Sequence, residues 1–140
     1  MAESILTQPA SPNWTGRHID RVSESIGKAW GLCHLLRGQF SGEVGEAERC
    51  SFAWTEAVFE RVAELVRLAD ADTDEAPAEV GQAVHAARAQ CEVLMSDRSA
   101  GDPGEQRLSD EIMDWALWAL IDALVRAKDA VDRSMSTREN

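Results

Sequence analysis

From Ile112 to Val125 the chain is apolar at every position except Asp114 and Asp122. That run is longer than most strands, which hold roughly 3–10 residues, and shorter than the roughly 20 apolar residues of a membrane-spanning helix. Its Ala, Leu and Trp content reads as an α-helix that is greasy nearly all round, and such a helix needs cover on more than one side. At about 100° per residue, Met113, Leu117, Leu120, Leu124 and Val131 share one broad side, with Ala116, Ala123, Ala127 and Ala130 as a close-packing strip beside it. Trp118, Ile121 and Val125 fall on the other side among Asp114 and Asp122, with Trp115 at the margin. Two readings follow for that second side. Either it is an exposed interaction face, or the N-terminal segment covers it, with Trp14 as the anchor.

The rest of the chain supplies three more helices. Ile19, Val22, Ile26, Ala29, Trp30, Cys33 and Leu36 recur at three- and four-residue steps, which predicts a helix over about 17–38, ended by the glycines between Gly38 and Gly45. A second is expected over about 46–71, with Ala47, Cys50, Trp54, Ala57, Val58, Val62, Leu65, Leu68 and Ala69 inward and Phe52, Phe59 and Val66 widening that face. The acidic run before Pro77 breaks it, and Thr73 or Asp74 is then positioned to cap a third helix over about 75–96 with Pro77 in its first turn. Val80, Ala83, Val84, Ala87, Cys91 and Leu94 form its narrow seam. The fourth helix starts near Pro103 or, through a second cap at Ser109, slightly later, and runs to about Ser134.

Four helices with short connections imply an all-α antiparallel bundle over 17–134, preceded by a flexible or surface-laid arm over 1–16 and followed by a polar tail over 135–140. Ala is the commonest residue, Tyr is absent and the β-branched residues are scattered, so no β-sheet is expected. At 140 residues the chain is long enough to bury roughly two thirds of its unfolded surface in one core.

A search for chemistry finds little. Di-iron bundles use Glu-x-x-His, but Thr15, Gly31 and Gln82 stand three residues before His18, His34 and His85. The H-E-x-x-H, P-loop, G-x-G-x-x-G and G-x-S-x-G motifs are absent. Cys33 and His34 are neighbours and point about 100° apart on a helix, which is wrong for one metal ion. No catalytic residue, metal or cofactor is expected. His34 reads as a partly buried, hydrogen-bonded histidine, His18 as a terminal-turn residue and His85 as exposed. The odd, widely spaced Cys33, Cys50 and Cys91 read as small buried hydrophobes in a reducing cytoplasm, consistent with a first segment that lacks the pattern of a secretory signal.

The net charge of −11 comes from 25 acidic and 14 basic residues, and it opposes direct binding to a nucleic-acid backbone. It favours approach to basic proteins. Glu56, Glu60 and Glu64 form an acidic ridge on the outer face of the second helix, continued by Asp70, Asp72, Asp74 and Glu75. Arg49, Arg61 and Arg67 lie near enough to neutralise part of it, so the ridge reads first as a solvated face and only second as a contact surface. A third feature is the strip Ser23, Gly27 and Gly31, where two helical glycines cost about 1 kcal/mol each against Ala and are expected to pack closely on the Ala strip of the fourth helix.

These features point to a non-enzymatic protein-interaction module, an inhibitor or regulator, contacting its partner through Trp115, Trp118, Ile121 and Val125 or through the acidic surface. In general character, though in no motif, the chain resembles the small acidic anti-CRISPR and DNA-mimic proteins. The resemblance implies a phage or mobile-element inhibitor that occupies a basic, nucleic-acid-binding surface. A homodimer through the fourth-helix face is expected as well; the alternatives are a self-associating accessory bundle that uses that face only to dimerise, and a small-molecule-binding bundle with a pocket near Trp30 and His34. No membrane association is expected.

Overall fold

A computed structural model describes residues 13–40, 51–99 and 109–139. Four helices are found among them: α1 (Gly16–Phe40), α2 (Phe52–Ala71), α3 (Ala78–Ser99) and α4 (Asp110–Glu139). Each packs on two neighbours, α1 on α2 and α4, α3 on α2 and α4, so the helices close into a ring with one core. Neighbours run antiparallel. Arg21 near the start of α1 meets Asp72 after the end of α2, Asp70 late in α2 meets Arg88 in α3, and Glu79 at the start of α3 meets Arg133 late in α4. The expected all-α bundle is therefore the fold.

Helix ends follow local chemistry. Ser51 caps α2, its hydroxyl accepting from the Trp54 amide at 3.2 Å. Ser109 caps α4 the same way through the Ile112 amide, so of the two expected starts for that helix the later one is used. The cap expected for α3 is not. The Thr73 hydroxyl turns back and donates to the Asp70 carbonyl at 2.7 Å, and the Gly81 amide donates to the Pro77 carbonyl, which puts Pro77 at the boundary rather than inside the first turn. α1 continues through Gly38 to Phe40, and α4 continues past Ser134 to Glu139, because neither Gly38 nor the stretch after Ser134 imposes a break. Residues 46–50 and 103–108, where two helix starts were expected, and most of the 1–16 arm lie outside the described residues.

The core takes Ile19, Val22, Ile26, Ala29, Cys33 and Leu36 from α1, and Val80, Val84, Ala87, Cys91 and Leu94 from α3, as the periodicity implies. α2 is turned relative to expectation. Phe59, Val62, Ala63, Leu65, Val66 and Ala69 are buried, whereas Trp54, Ala57 and Leu68 are exposed. More than half of that helix is apolar, and the neighbours it packs on, not its own sequence, select the buried arc. Ahead of α1, Trp14 is enclosed, and its indole N–H donates to the Ser134 hydroxyl at 3.4 Å. That contact ties the entry of the first helix to the last turns of the fourth rather than to the outer face of α4.

A candidate interaction surface between α1 and α4

α4 is sandwiched between α1 and α3, so its buried arc is wide. Met113, Leu117, Leu120, Leu124, Ala127 and Val131 are buried along its centre. Ile121, expected on the outer side, is only 3% exposed and belongs to the core. It shares a flank with Asp114 and Lys128, whose partners Arg37 and Ser23 are on α1, and α1 covers it. One position further round, the cover ends. Trp115 is 62% exposed, and Trp118 and Val125 are each 41% exposed. Three of the four residues expected on the outer apolar face are therefore there, and the fourth is not.

α1 contributes to the same surface Trp30, expected on its inner face, and His34, both singled out in the sequence only for a pocket, together with Arg37, which the sequence did not single out. Trp30, 43% exposed, meets His34 edge-on at 4.4 Å between ring centroids, and His34 meets Trp118 edge-on at 5.8 Å. Such edge-to-face geometry sets the positive rim of one ring against the negative face of the next. The guanidinium of Arg37 lies 4.3 Å from the centre of the Trp118 ring, a cation–π contact. Arg37 Nε is also 3.2 Å from Asp114 Oδ1, with both atoms enclosed, at the distance of an ion pair but off the line of a hydrogen bond. The row Trp30, His34, Trp118, Arg37, Asp114 thus crosses from one helix to the other. Its signal in the sequence was faint: Trp30 is one step off the Ile26, Ala29 and Cys33 line, and only the neighbouring helix decides on which side of the boundary it falls.

Next to this row is a groove. Ile26, Gly27, Trp30, Leu124, Val125, Lys128 and Asp129 line a cavity of about 260 Å³ that opens to the surface. Here the expected tight packing of the glycine strip is corrected. A Cβ at Gly27 or Gly31 would meet nothing within 4 Å, so neither glycine is there to let α4 approach. Ser23, the third member, accepts from the Lys128 ammonium, which Asp132 also holds.

The acidic surface has a different character. Asp70 is bound by Arg88 at 2.7 Å, with the exposed His85 ring 3.6 Å away. Glu92 takes both Arg88 and Arg67, which holds its carboxyl below the usual range, chiefly through the Arg88 hydrogen bond. Asp72 pairs with Arg21, and Glu64 with Arg61. Glu60, Asp74 and Glu75 are exposed, and Glu56 is half-buried. Arg49 and Cys50 lie outside the described residues.

Of the remaining groups, His18 Nδ1 and the Thr15 hydroxyl are 2.9 Å apart in the first turn of α1. Cys33 and Cys91 are buried free thiols. Burial pushes them up to about 12 and about 11, with Cys33 raised further by its electrostatic coupling to Cys91, so both are poor nucleophiles near neutrality. Among the described residues no trio of His, Cys, Asp or Glu is placed to hold a metal ion, and no helix is long and apolar enough to cross a membrane. Comparison with protein-family models, with curated proteins and with solved structures finds no match to the chain.

Proposed function

We propose that the chain is a non-enzymatic protein-interaction module that docks its partner on the surface between α1 and α4. One observation carries this reading. Trp30, Trp118 and Val125 are left part-exposed side by side along a single seam, with Trp115 one turn beyond Trp118 on the same helix. Trp is among the residues that dominate protein interfaces, and a cluster of large apolar groups rimmed by charge is costly to leave in water. The acidic ridge supports a secondary role, because several of its carboxylates are already engaged by the molecule's own arginines. With a net charge of −11, long-range attraction favours a basic partner. A partner whose basic surface holds nucleic acid would be inhibited by being occupied.

A homodimer through α4 is less well supported. Two copies of α4 pairing antiparallel about the middle of the seam bring Asp122 of each copy together, and like charges there oppose association.

The test is quantitative capture from a lysate of the encoding organism, with three baits compared: wild type, Trp115→Ala/Trp118→Ala, and Glu56→Lys/Glu60→Lys/Glu64→Lys. A partner retained by the wild type and the ridge variant but lost with the tryptophan variant supports the seam. A partner lost only with the ridge variant moves the interface to α2 and overturns this reading.

A further inference from the structure

Along the exposed side of α4, Trp118, Asp122, Val125 and Asp129 follow at steps of four, three and four, so they form one straight stripe. At 1.5 Å per residue the stripe is about 16 Å long, three turns of a facing helix and longer than a small ligand. Its apolar and acidic members alternate. No ion pair is found for Asp122 or Asp129 among the described residues, whereas the neighbouring Lys128 ammonium is already held by Ser23 and Asp132. The groove at Gly27 opens beside the stripe, with Val125 and Asp129 on its rim and the half-exposed Trp30 ring as a wall. At about 260 Å³ it is below the roughly 300–1,000 Å³ of a typical small-molecule pocket, and its lining is almost entirely apolar. It is suited to one bulky side chain. Gly27 keeps it open, since any larger residue there would project into space that nothing else fills.

We infer that the partner presents a basic amphipathic helix, which seats one large apolar side chain in the groove over Gly27 and pairs its Lys or Arg side chains with Asp122 and Asp129. This rests on the reading of the α1/α4 surface as a protein interface and adds the chemistry of what binds there. Helix-in-groove recognition of this kind takes its specificity from anchors spaced at the helical period. A second copy of the chain fits less well, since its own exposed α4 stripe is acidic where the groove rim is acidic.

The probe is a synthetic Leu/Lys peptide patterned at the helical period, beside the same composition in scrambled order and a Leu/Glu peptide of the same pattern, titrated calorimetrically at physiological ionic strength. The patterned Leu/Lys peptide is expected to bind about tenfold or more tighter than the scramble. Gly27→Leu, which fills the groove at an open helical position, should weaken it by about tenfold, and Asp122→Asn/Asp129→Asn should weaken it severalfold and flatten its salt dependence. Circular dichroism and the Tm of each variant show whether the fold is kept. Equal binding of patterned and scrambled peptides, or of the Leu/Glu peptide, overturns the inference, as does an unchanged affinity in Gly27→Leu. A wild type that is dimeric by light scattering while Gly27→Leu is monomeric assigns the groove to a second copy and also overturns it. If Trp115→Ala/Trp118→Ala abolishes partner capture while Gly27→Leu and the asparagine variant capture normally, the interface reading stands and the basic-helix inference falls.

Discussion

The seam between α2 and α3 and the seam between α1 and α4 are both antiparallel contacts of the same bundle, yet they meet water in opposite ways. The first is stitched across its surface by ions, with Asp70 to Arg88 at 2.7 Å and Glu92 shared between Arg88 and Arg67. The second has its Arg37–Asp114 pair drawn inward under Trp118 and presents indole rings and an apolar groove instead. The difference shows why net charge alone is a poor guide to where a docking surface would lie. Acidic groups are widespread and partly self-neutralised, and although single apolar residues such as Leu68 and Val93 are also exposed, Trp30, Trp118 and Val125 lie uncovered together along one seam.

The sharpest way to break that comparison is to cut each side of α4. Ile121→Ala, on the covered flank, should cost about 2–5 kcal/mol of stability, read from denaturant unfolding. Trp118→Ala, on the open side, should cost distinctly less while removing partner binding. Equal losses would mean that the outer side is part of the core. Next comes the pair under the indole. Arg37→Leu leaves Asp114 enclosed without its cation and should cost about 1–3 kcal/mol. Arg88→Leu in the opposite seam leaves Asp70, whose side chain is only 14% exposed, without its arginine and should cost a similar amount, while the half-exposed Glu92 keeps Arg67. Lowering the pH through the carboxylate range removes Glu92's contribution to that seam, since Glu92 titrates lower in the folded chain than in the unfolded one.

The buried thiols set a third effect, common to both halves of the core. Their pKa values are raised on folding, so their contribution is intact below about 9 and is lost as pH rises toward about 11 for Cys91 and about 12 for Cys33. The limiting slope is about 1.4 kcal/mol per pH unit per thiol. Comparing Cys33→Ala with the wild type at pH 7 and pH 10 isolates it, and peptide mapping after alkylation of the native chain should leave Cys33 and Cys91 unmodified. The smallest effect has the opposite sign. Gly27→Ala should stabilise by up to about 1 kcal/mol, because the added methyl meets nothing. A loss of stability there would show that the glycine serves packing after all.

Much of the fold was legible because its signal is local. The three- and four-residue spacing of Ile19, Val22, Ile26 and Ala29, and of Val80, Val84, Ala87 and Cys91, names the buried faces of α1 and α3 directly. α2 and α4 were harder for one reason. Where most of the circumference is apolar, periodicity stops discriminating, and the neighbours decide that Phe59 and Ile121 go in while Trp54 and Trp118 stay partly out. The candidate interaction surface was half legible for the same reason. Its α4 members could be found on one helix, but Trp30, Gly27 and Arg37 acquire their meaning only beside α4. The glycine strip misled because spacing reports that small residues align, not whether anything lies above them.

The enclosure of Trp14 gives the protein two optical reporters. Its shielded indole, held at the Ser134 hydroxyl, is placed to emit in the blue and resist collisional quenchers until the bundle opens. Trp115 and Trp118 meet solvent in the native state and should be dimmed by iodide or acrylamide first. Unfolding and the proposed docking should therefore alter different parts of one emission spectrum, and a single titration can tell them apart without a label.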